Sequence, residues 1–379
     1  MIYLDNNSTT PVDPQVVDRM LPYFSEQYGN ASSTTHWMGR EARQAVENAR
    51  STIANAIGAV PEEIYFTSGA TESNNMAIRG TALHRSSRNK SLLSALTEHR
   101  AVLDPLRRLE RESVSVQWLS PASNSGEIDL NALNGAVSEE TALVSLLWAN
   151  NEIGTCLDVD KVGNICSALG IKFHSDAAQV LGKLAVDVQK SQIDLLSLSA
   201  HKVYGPKGVG ALYAKKGTRL KSIVDGGGHE NGKRSGTLNV PGIVGFGAAV
   251  ELALDSMADE ENRIRELMRL CDSLMHSEVG GAELNGPSID ERLLGNLNYR
   301  LENIDAETLT LNLAETCIST GSACTSADPE PSHVLQAVVL DESQARSSIR
   351  IGIGRFNTAE EIKTAVKEIG TAASKLRAN

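Results

Sequence analysis

What constrains this chain most is an alternation. Short apolar runs recur along most of its length, and amphipathic helical patterns separate several of them. "EEIYFTSG", "SLLSAL", "SVSVQWL", "TALVSLLWA", "IKFHSD", "DLLSLSA" and "VGALYA" read as strands. "REARQAVENARSTIANAIG", "TESNNMAIRGTALH" and "VDKVGNICSALG" read as helices, the first ending at a glycine cap, and "PQVVDRMLPYFSEQYG" reads as a further helix near the start. Strands that alternate with helices pack as an α/β layer around a mostly parallel sheet. After about Pro241 the alternation gives way to one long helix, roughly 243–273, and a region with fewer strands. This predicts a second, smaller domain, as a chain of 379 residues favours. The N-terminal strand and first helix are candidates to join it.

The formal net charge is −11, which argues against direct binding to nucleic acid or to an anionic membrane. No run of about 18 apolar residues stands out, so no membrane span is expected. "MIYLDNNSTT" has no basic stretch followed by an apolar run, so no signal peptide is read there. The five cysteines, Cys156, Cys166, Cys271, Cys317 and Cys324, are odd in number and contain no C-x-x-C pair. That favours neither a disulfide framework nor a structural zinc site, and the cytoplasm is the expected location. Cys317, beside an apolar stretch, is expected to be buried. Cys156, Cys166 and Cys271 read as core or neutral positions.

Several polar clusters fall just after predicted strands, where ligands of such sheets collect. Lys202, in "LLSLSAHKVYGPKGVG", is delivered by a strand into a glycine-rich turn. A desolvated lysine there can form a Schiff base with an aldehyde cofactor, although Lys202 and Lys207 also read as surface lysines. Asp176 closes the strand in "IKFHSDAAQ". A pyridoxal-phosphate site needs a carboxylate facing the pyridine nitrogen, and a helix N-cap is the plainer role for such an Asp. Gln179 follows where it can reach the phenolic oxygen. "TSGATESNN" offers a phosphate cradle at Gly69, Ala70 and Thr71, since backbone N–H groups at a helix start favour an anion, and Ser199 and His201 can add donors. His99, in "LTEHRAVLD", can stack on a ring and relay protons, or be structural. Asn150 and Asn151, in "WANNEIGT", can donate hydrogen bonds or form a turn.

Taken in order, "TSGATES", "TEHRAVLD", "NNEIG", "HSDAAQ", "SAHKVYGPKGVG", "GGGHENGKRSGT" and "STGSACTSADPEPSHVL" resemble the cysteine desulfurases of the NifS/IscS type. These are class V members of the fold-type I pyridoxal-phosphate enzymes. The resemblance runs from "YLDNNSTTP" to "SSIRIGIGRF". It implies a large domain, 15–258, with a mostly parallel seven-stranded sheet flanked by helices. It also implies a smaller α+β domain, 1–14 and 259–379, carrying a catalytic cysteine loop at about 319–333. By the same resemblance Lys202 binds the cofactor covalently, Asp176 pairs with the pyridine nitrogen, Gln179 and Asn151 contact the phenolic side, and His99 stacks on the ring. Ala70, Thr71, Ser199 and His201 hold the phosphate. Thr237 resembles the threonine that reaches the phosphate of a neighbouring subunit, which implies a homodimer. Arg350 resembles the arginine that clamps the substrate carboxylate, with Asn30 and Asn151 nearby.

Cys324 sits among small residues, an odd setting for a core thiol. The resemblance makes it the nucleophile that takes sulfur from L-cysteine as a persulfide, releases alanine, and passes sulfur to an acceptor protein. An unperturbed thiol is only about 3% thiolate at neutral pH, so activation is expected. The long segment after Cys324 resembles the first group of the family, which serves protein acceptors. The chain stops at Asn379, whereas relatives that feed iron–sulfur scaffolds usually carry a longer tail. Iron–sulfur cluster assembly, tRNA thiolation and DNA phosphorothioation all stay open as destinations for the sulfur. Rival readings are a class V aminotransferase or a selenocysteine lyase, a degenerate scaffold, and a metal site at His174 and Asp176 that no spacing supports.

Overall fold

The structure is a computed structural model that describes residues 1–84, 90–320, 331–338 and 340–378. Cys324 and the rest of its 321–330 segment lie outside the described residues. The first third of the chain contains β1 (Ile2–Tyr3), α1 (Pro14–Met20), α2 (Pro22–Ser25), α3 (Trp37–Ala56), β2 (Ile64–Thr67), α4 (Ala70–Ala82), β3 (Ser91–Ala95), α5 (Arg100–Arg111) and β4 (Val116–Leu119). The middle adds α6 (Leu130–Ala136), β5 (Thr141–Ser145), α7 (Val159–Ala168), β6 (Lys172–Asp176), β7 (Leu195–Ser199), β8 (Gly210–Ala214) and α8 (Val240–Glu278). The last part holds β9 (Ala282–Leu284), β10 (Asn296–Leu301), α9 (Ala306–Leu311), β11 (Thr316–Cys317), β12 (Ser319–Thr320), α10 (His333–Ala337), α11 (Glu342–Arg346), β13 (Ser348–Gly352) and α12 (Ala359–Ala378).

Seven strands form the large sheet in the order β2-β8-β7-β6-β5-β3-β4. The pairs β7–β6, β6–β5, β5–β3 and β3–β4 are parallel, whereas β8 runs antiparallel to both its neighbours. The sheet is therefore mostly parallel, as expected. β5, β7 and β8 are buried at every position, because helices cover both faces. A four-stranded sheet, β12-β13-β10-β9, is antiparallel throughout. β1 pairs with β11 beside it.

Two main apolar clusters divide along a single helix. Val240, Ile243, Phe246, Val250 and Ala253 of α8 pack into the core under the seven-stranded sheet. Ile264, Leu267, Met268, Cys271 and Met275 of the same helix pack into the core of the smaller sheet, with α12. The helix runs further at both ends than the sequence pattern predicts, capped by Asn239, whose side chain accepts from Gly242 N–H. Its length and composition would suffice to cross a membrane, yet 56% of its most apolar window is buried within the protein, so it is a core helix. The first helix differs from expectation. The pattern reads it in one piece, with the smaller domain as a candidate home, but Pro22 divides it into α1 and α2, and Val16 packs in the larger core, inside the 15–258 bounds. Cys317 also departs from expectation. It is only half-buried, because β11 forms part of a two-stranded ladder rather than the interior of a sheet.

One ion pair ties the larger core together. Both terminal nitrogens of Arg50 (α3) meet the Glu230 carboxylate at 2.8 Å. Glu230 Oε2 also accepts from Phe66 N–H of β2 at 2.7 Å, and the guanidinium lies 4.7 Å above the Phe66 ring. Both side chains are nearly inaccessible. Removing one partner strands a buried charge, a loss of about 3–5 kcal/mol, whereas an apolar pair of similar volume costs little. Glu230→Ala is therefore expected to lower the urea midpoint sharply, and Arg50→Met with Glu230→Leu to recover most of that loss.

Candidate active site

The carboxyl ends of the parallel strands converge on one cavity of about 420 Å³. β7 ends at Ser199 and turns through a short 3-10 segment to Lys202. β6 ends at Asp176, and the following turn carries Ala178 and Gln179. The segment after β3 brings His99 to the start of α5, and the one after β5 brings Leu147 and Asn151. Ala70, Thr71, His99, Asn151, Gln179, Ser199, His201 and Lys202 all line this cavity. The structure thus brings eight of the sequence-derived positions together.

Its geometry fits pyridoxal phosphate. Gly69, at the N-cap of α4, has a φ of 149° and no side-chain hydrogen bond to the cap. A Cβ there would meet nothing within 4 Å. The first N–H groups of α4 have no partner within the helix, and its dipole favours an anion at that point. Gly210 of β8 allows this turn to approach, because a Cβ on it would lie 2.7 Å from Gly69 Cα. Lys207 adds a positive charge to the lining, and Thr71 exposes its hydroxyl there. Burial, with help from Lys202 and Lys207, lowers the His201 pKa to about 4, so its ring is neutral. Its Nδ1 lies 3.1 Å from Thr9 Oγ1.

Lys202 Nζ donates to the carbonyls of Asn7 at 2.5 Å and Ser8 at 2.6 Å. Gln179 Nε2 donates to the same Asn7 carbonyl at 2.8 Å. His99 caps α5, its Nδ1 accepting from Ala101 N–H at 3.1 Å, which leaves Nε2 as the ring's donor. Asp176 is buried and does not line the cavity itself. Its carboxylate is fixed by Asn74 Nδ2 at 2.6 Å and by Ala178 N–H at 3.0 Å. No helix starts after it, so the plainer N-cap reading does not hold; its carboxylate instead fixes the turn that carries Ala178 and Gln179 beside the cavity.

Arg350 is fully buried behind Ser8 and Asn151, which both line the cavity. Its guanidinium donates to Asp5 Oδ1 at 2.9 Å, Ser8 Oγ at 2.5 Å and the Asn151 carbonyl at 3.3 Å. Asn30 and Thr237 are not brought in. Asn30 is exposed and turns its Oδ1 to Ser32 N–H, and Thr237 is exposed in the segment before α8.

The structure adds groups to which the sequence reading gave no role. Asn7 and Ser8 supply carbonyls, and such acceptors leave no trace in residue type. Glu98 and Glu152 sat unremarked inside "TEHRAVLD" and "NNEIG", and both are buried. Burial holds the Glu98 carboxyl well above the usual range, and nearby Asp176 adds to this. Burial raises the Glu152 pKa to about 7, against the lowering effects of the Ser332 hydroxyl, Arg350, His99 and Arg100. A carboxyl whose folded pKa is raised binds its proton more tightly in the folded state. Stability then falls as pH rises from about 4.5 through about 7, by a total on the order of 3 kcal/mol. Glu152→Gln should remove this penalty. Urea titrations are expected to show the variant gaining on wild type from pH 5 to pH 8.

The family described as aminotransferase class-V matches residues 2–364. A curated relative, cysteine desulfurase IscS of Rickettsia bellii, is 46% identical over 99% of this chain and 92% of its own length. Among solved structures, a NifS-like protein superposes with a TM-score of 0.92 at 35% identity, covering 99% of both chains. A structure described as SspA in complex with cysteine gives 0.84 at 36% identity, over 94% of this chain and all of the other. With an open helix start, a strand-end lysine and a fixed carboxylate gathered at one cavity, this chain belongs to the class-V aminotransferase family and, within it, to the pyridoxal-phosphate-dependent cysteine desulfurases.

Proposed function

We propose that the chain converts L-cysteine to L-alanine and delivers the sulfur, through Cys324, to an acceptor protein. The observation that carries this is the meeting of Lys202, Gln179, His99 and the open start of α4 around one cavity, with Arg350 fixed behind it. Bound there, pyridoxal phosphate supplies an electron sink that labilises bonds at the substrate α-carbon. The α4 N-terminus, Thr71, Ser199 and His201 would hold its phosphate, Asp176 would serve its ring nitrogen, Gln179 and Asn151 its phenolic side, and His99 would cover the ring. Lys202, released from the Asn7 and Ser8 carbonyls, would anchor the cofactor and move the substrate α-proton. Arg350 receives the substrate carboxylate beside Ser8 and Asn151. Asn30 belongs to the approach to this site, although it does not line the cavity. The Cys324 thiolate attacks the substrate sulfur. The carbon–sulfur electron pair stays with the carbon, which takes a proton and leaves as alanine, and Cys324 becomes a persulfide.

Thr237 is exposed and away from its own cavity, which suits a contact with the phosphate of a neighbouring subunit in a homodimer. The smaller α+β domain is 1–14 and 259–379, and the larger is 15–258. The acidic surface, with a net charge of −11, suits a cytoplasmic enzyme that meets protein acceptors rather than nucleic acid or membrane. Iron–sulfur cluster assembly is the first destination for the sulfur. Transfer RNA thiolation and DNA phosphorothioation are the alternatives, the last reached through partner proteins.

Purified protein is expected to show the absorbance of a bound Schiff-base cofactor and to release alanine and sulfide from L-cysteine under reductant. Cys324→Ala should keep the absorbance and lose sulfide release by at least about 100-fold. A Cys324→Ala enzyme with wild-type rate points instead to a lyase or an aminotransferase.

A further inference from the structure

The turn after β6 holds a second lysine beside the site. Lys183 Nζ lies 3.2 Å from Gln179 Oε1. Lys183 follows Gly182, whose φ is +77° and whose Cβ, if present, would meet Val203 at 2.8 Å and Ala253 at 2.9 Å. The backbone is therefore pressed against the Lys202 segment and α8, and Lys183 is directed by a tight turn. Its amine sits deep enough that burial lowers its pKa to about 8, with Cys156 opposing and Arg350 adding to that shift. Lys202, Glu260 and Arg355 line the small void beside it. An ordinary surface lysine would extend to water instead.

The consequence lies in the Gln179 amide, whose two ends have nearly the same shape but opposite hydrogen-bonding character. The Asn7 carbonyl can only accept, so it takes the nitrogen end. An ammonium can only donate, so it takes the oxygen end. We infer that Lys183 is a positioning residue of the cofactor site, fixing the Gln179 amide so that its second N–H serves the cavity as a donor. Without Lys183 the amide oxygen loses its partner, and a buried acceptor left alone costs about 1–3 kcal/mol. The amide is then held at its Asn7 contact alone, and its second N–H is no longer fixed in line with an anionic ring oxygen. With Lys183 in place, a cation on the oxygen end also strengthens donation from the nitrogen end.

This inference rests on the reading that Gln179 meets the phenolic oxygen of the cofactor. The test is a spectrophotometric pH titration of the holoenzyme reconstituted with pyridoxal phosphate, in wild type, Lys183→Met, Gln179→Ala and the double variant. A cation-backed donor to the phenolic oxygen favours the unprotonated chromophore. Its loss should therefore raise the titration midpoint, by roughly half a unit to one unit in Lys183→Met. Gln179→Ala should shift it the same way, and the double variant no further than Gln179→Ala. Lys183→Ala carries the same expectation should Lys183→Met not fold. A normal Gln179→Ala shift with an unchanged midpoint in the folded Lys183 variant overturns the role of Lys183 alone. An additive double variant also overturns it, since Lys183 would then act through its own charge. A Gln179→Ala midpoint equal to wild type overturns the reading of Gln179 and the inference with it.

Discussion

The turn at residues 150–153 is the joint on which the site depends. Asn150 makes it rigid, its Oδ1 accepting from the N–H groups of Glu152 at 2.8 Å and Ile153 at 3.0 Å. Its Nδ2 reaches the Thr97 carbonyl at 2.9 Å, which ties the turn to the segment carrying His99. From the other side, Asn296 and Asn298 of β10 donate to the Asn151 and Glu152 carbonyls, and Arg350 of β13 donates to Asn151. Ser332, at the start of α10, closes the set with its hydroxyl on Glu152 Oε2. A single four-residue turn therefore joins the carboxyl edge of the large sheet to the smaller sheet. The His99 segment and Arg350 keep their relative positions through it.

The joint explains why carboxyls with raised pKa values are tolerated here. Glu98 Oε1 accepts from Leu147 N–H at 2.7 Å, and its backbone carbonyl accepts from His333 Nε2 at 2.9 Å. Glu152 holds Ser332. Each acid links a strand-end loop to its surroundings, and each costs stability through burial. Asp176 differs because two N–H donors satisfy its two oxygens. Asp176 is the carboxylate given full hydrogen bonding, and the carboxyls that clamp loops are pushed toward the neutral form.

The large sheet was legible because its strands are short, apolar and bounded by turns, a pattern that survives burial on both faces. The parallel order followed from the helices between them. Lys202, Asp176, Gln179 and His99 were legible because each stands at the end of such a strand. The division of α8 between two cores was less visible, since an apolar helix looks the same whichever core receives each half. The break at Pro22 was written in the sequence but outweighed by the periodicity around it. Carbonyl acceptors on Asn7 and Ser8 could not be read at all, because every residue has one and only the fold chooses which are used. Lys183 was hidden for a related reason: a lysine in a polar-looking turn reads as solvated until its neighbours are known.

The N-terminal strap shows what that choice costs and yields. Residues at the start of the chain reach Lys202 only by crossing both cores. β1 pairs with β11, Asp5 pairs with Arg350, and Thr10 N–H meets the His201 carbonyl at 3.0 Å. Asp13 N–H then meets the Tyr204 carbonyl at 3.0 Å, and the Asp13 carboxylate holds Arg355, whose guanidinium lies 4.3 Å over the Tyr204 ring. These contacts join the two ends of the chain, so their loop-closure entropy is spent in folding rather than at the moment of binding. Lys202 is thus held by carbonyls of a strap that is fastened to both cores. The strap therefore holds Lys202 through two main-chain carbonyls while its acid, Asp5, serves Arg350.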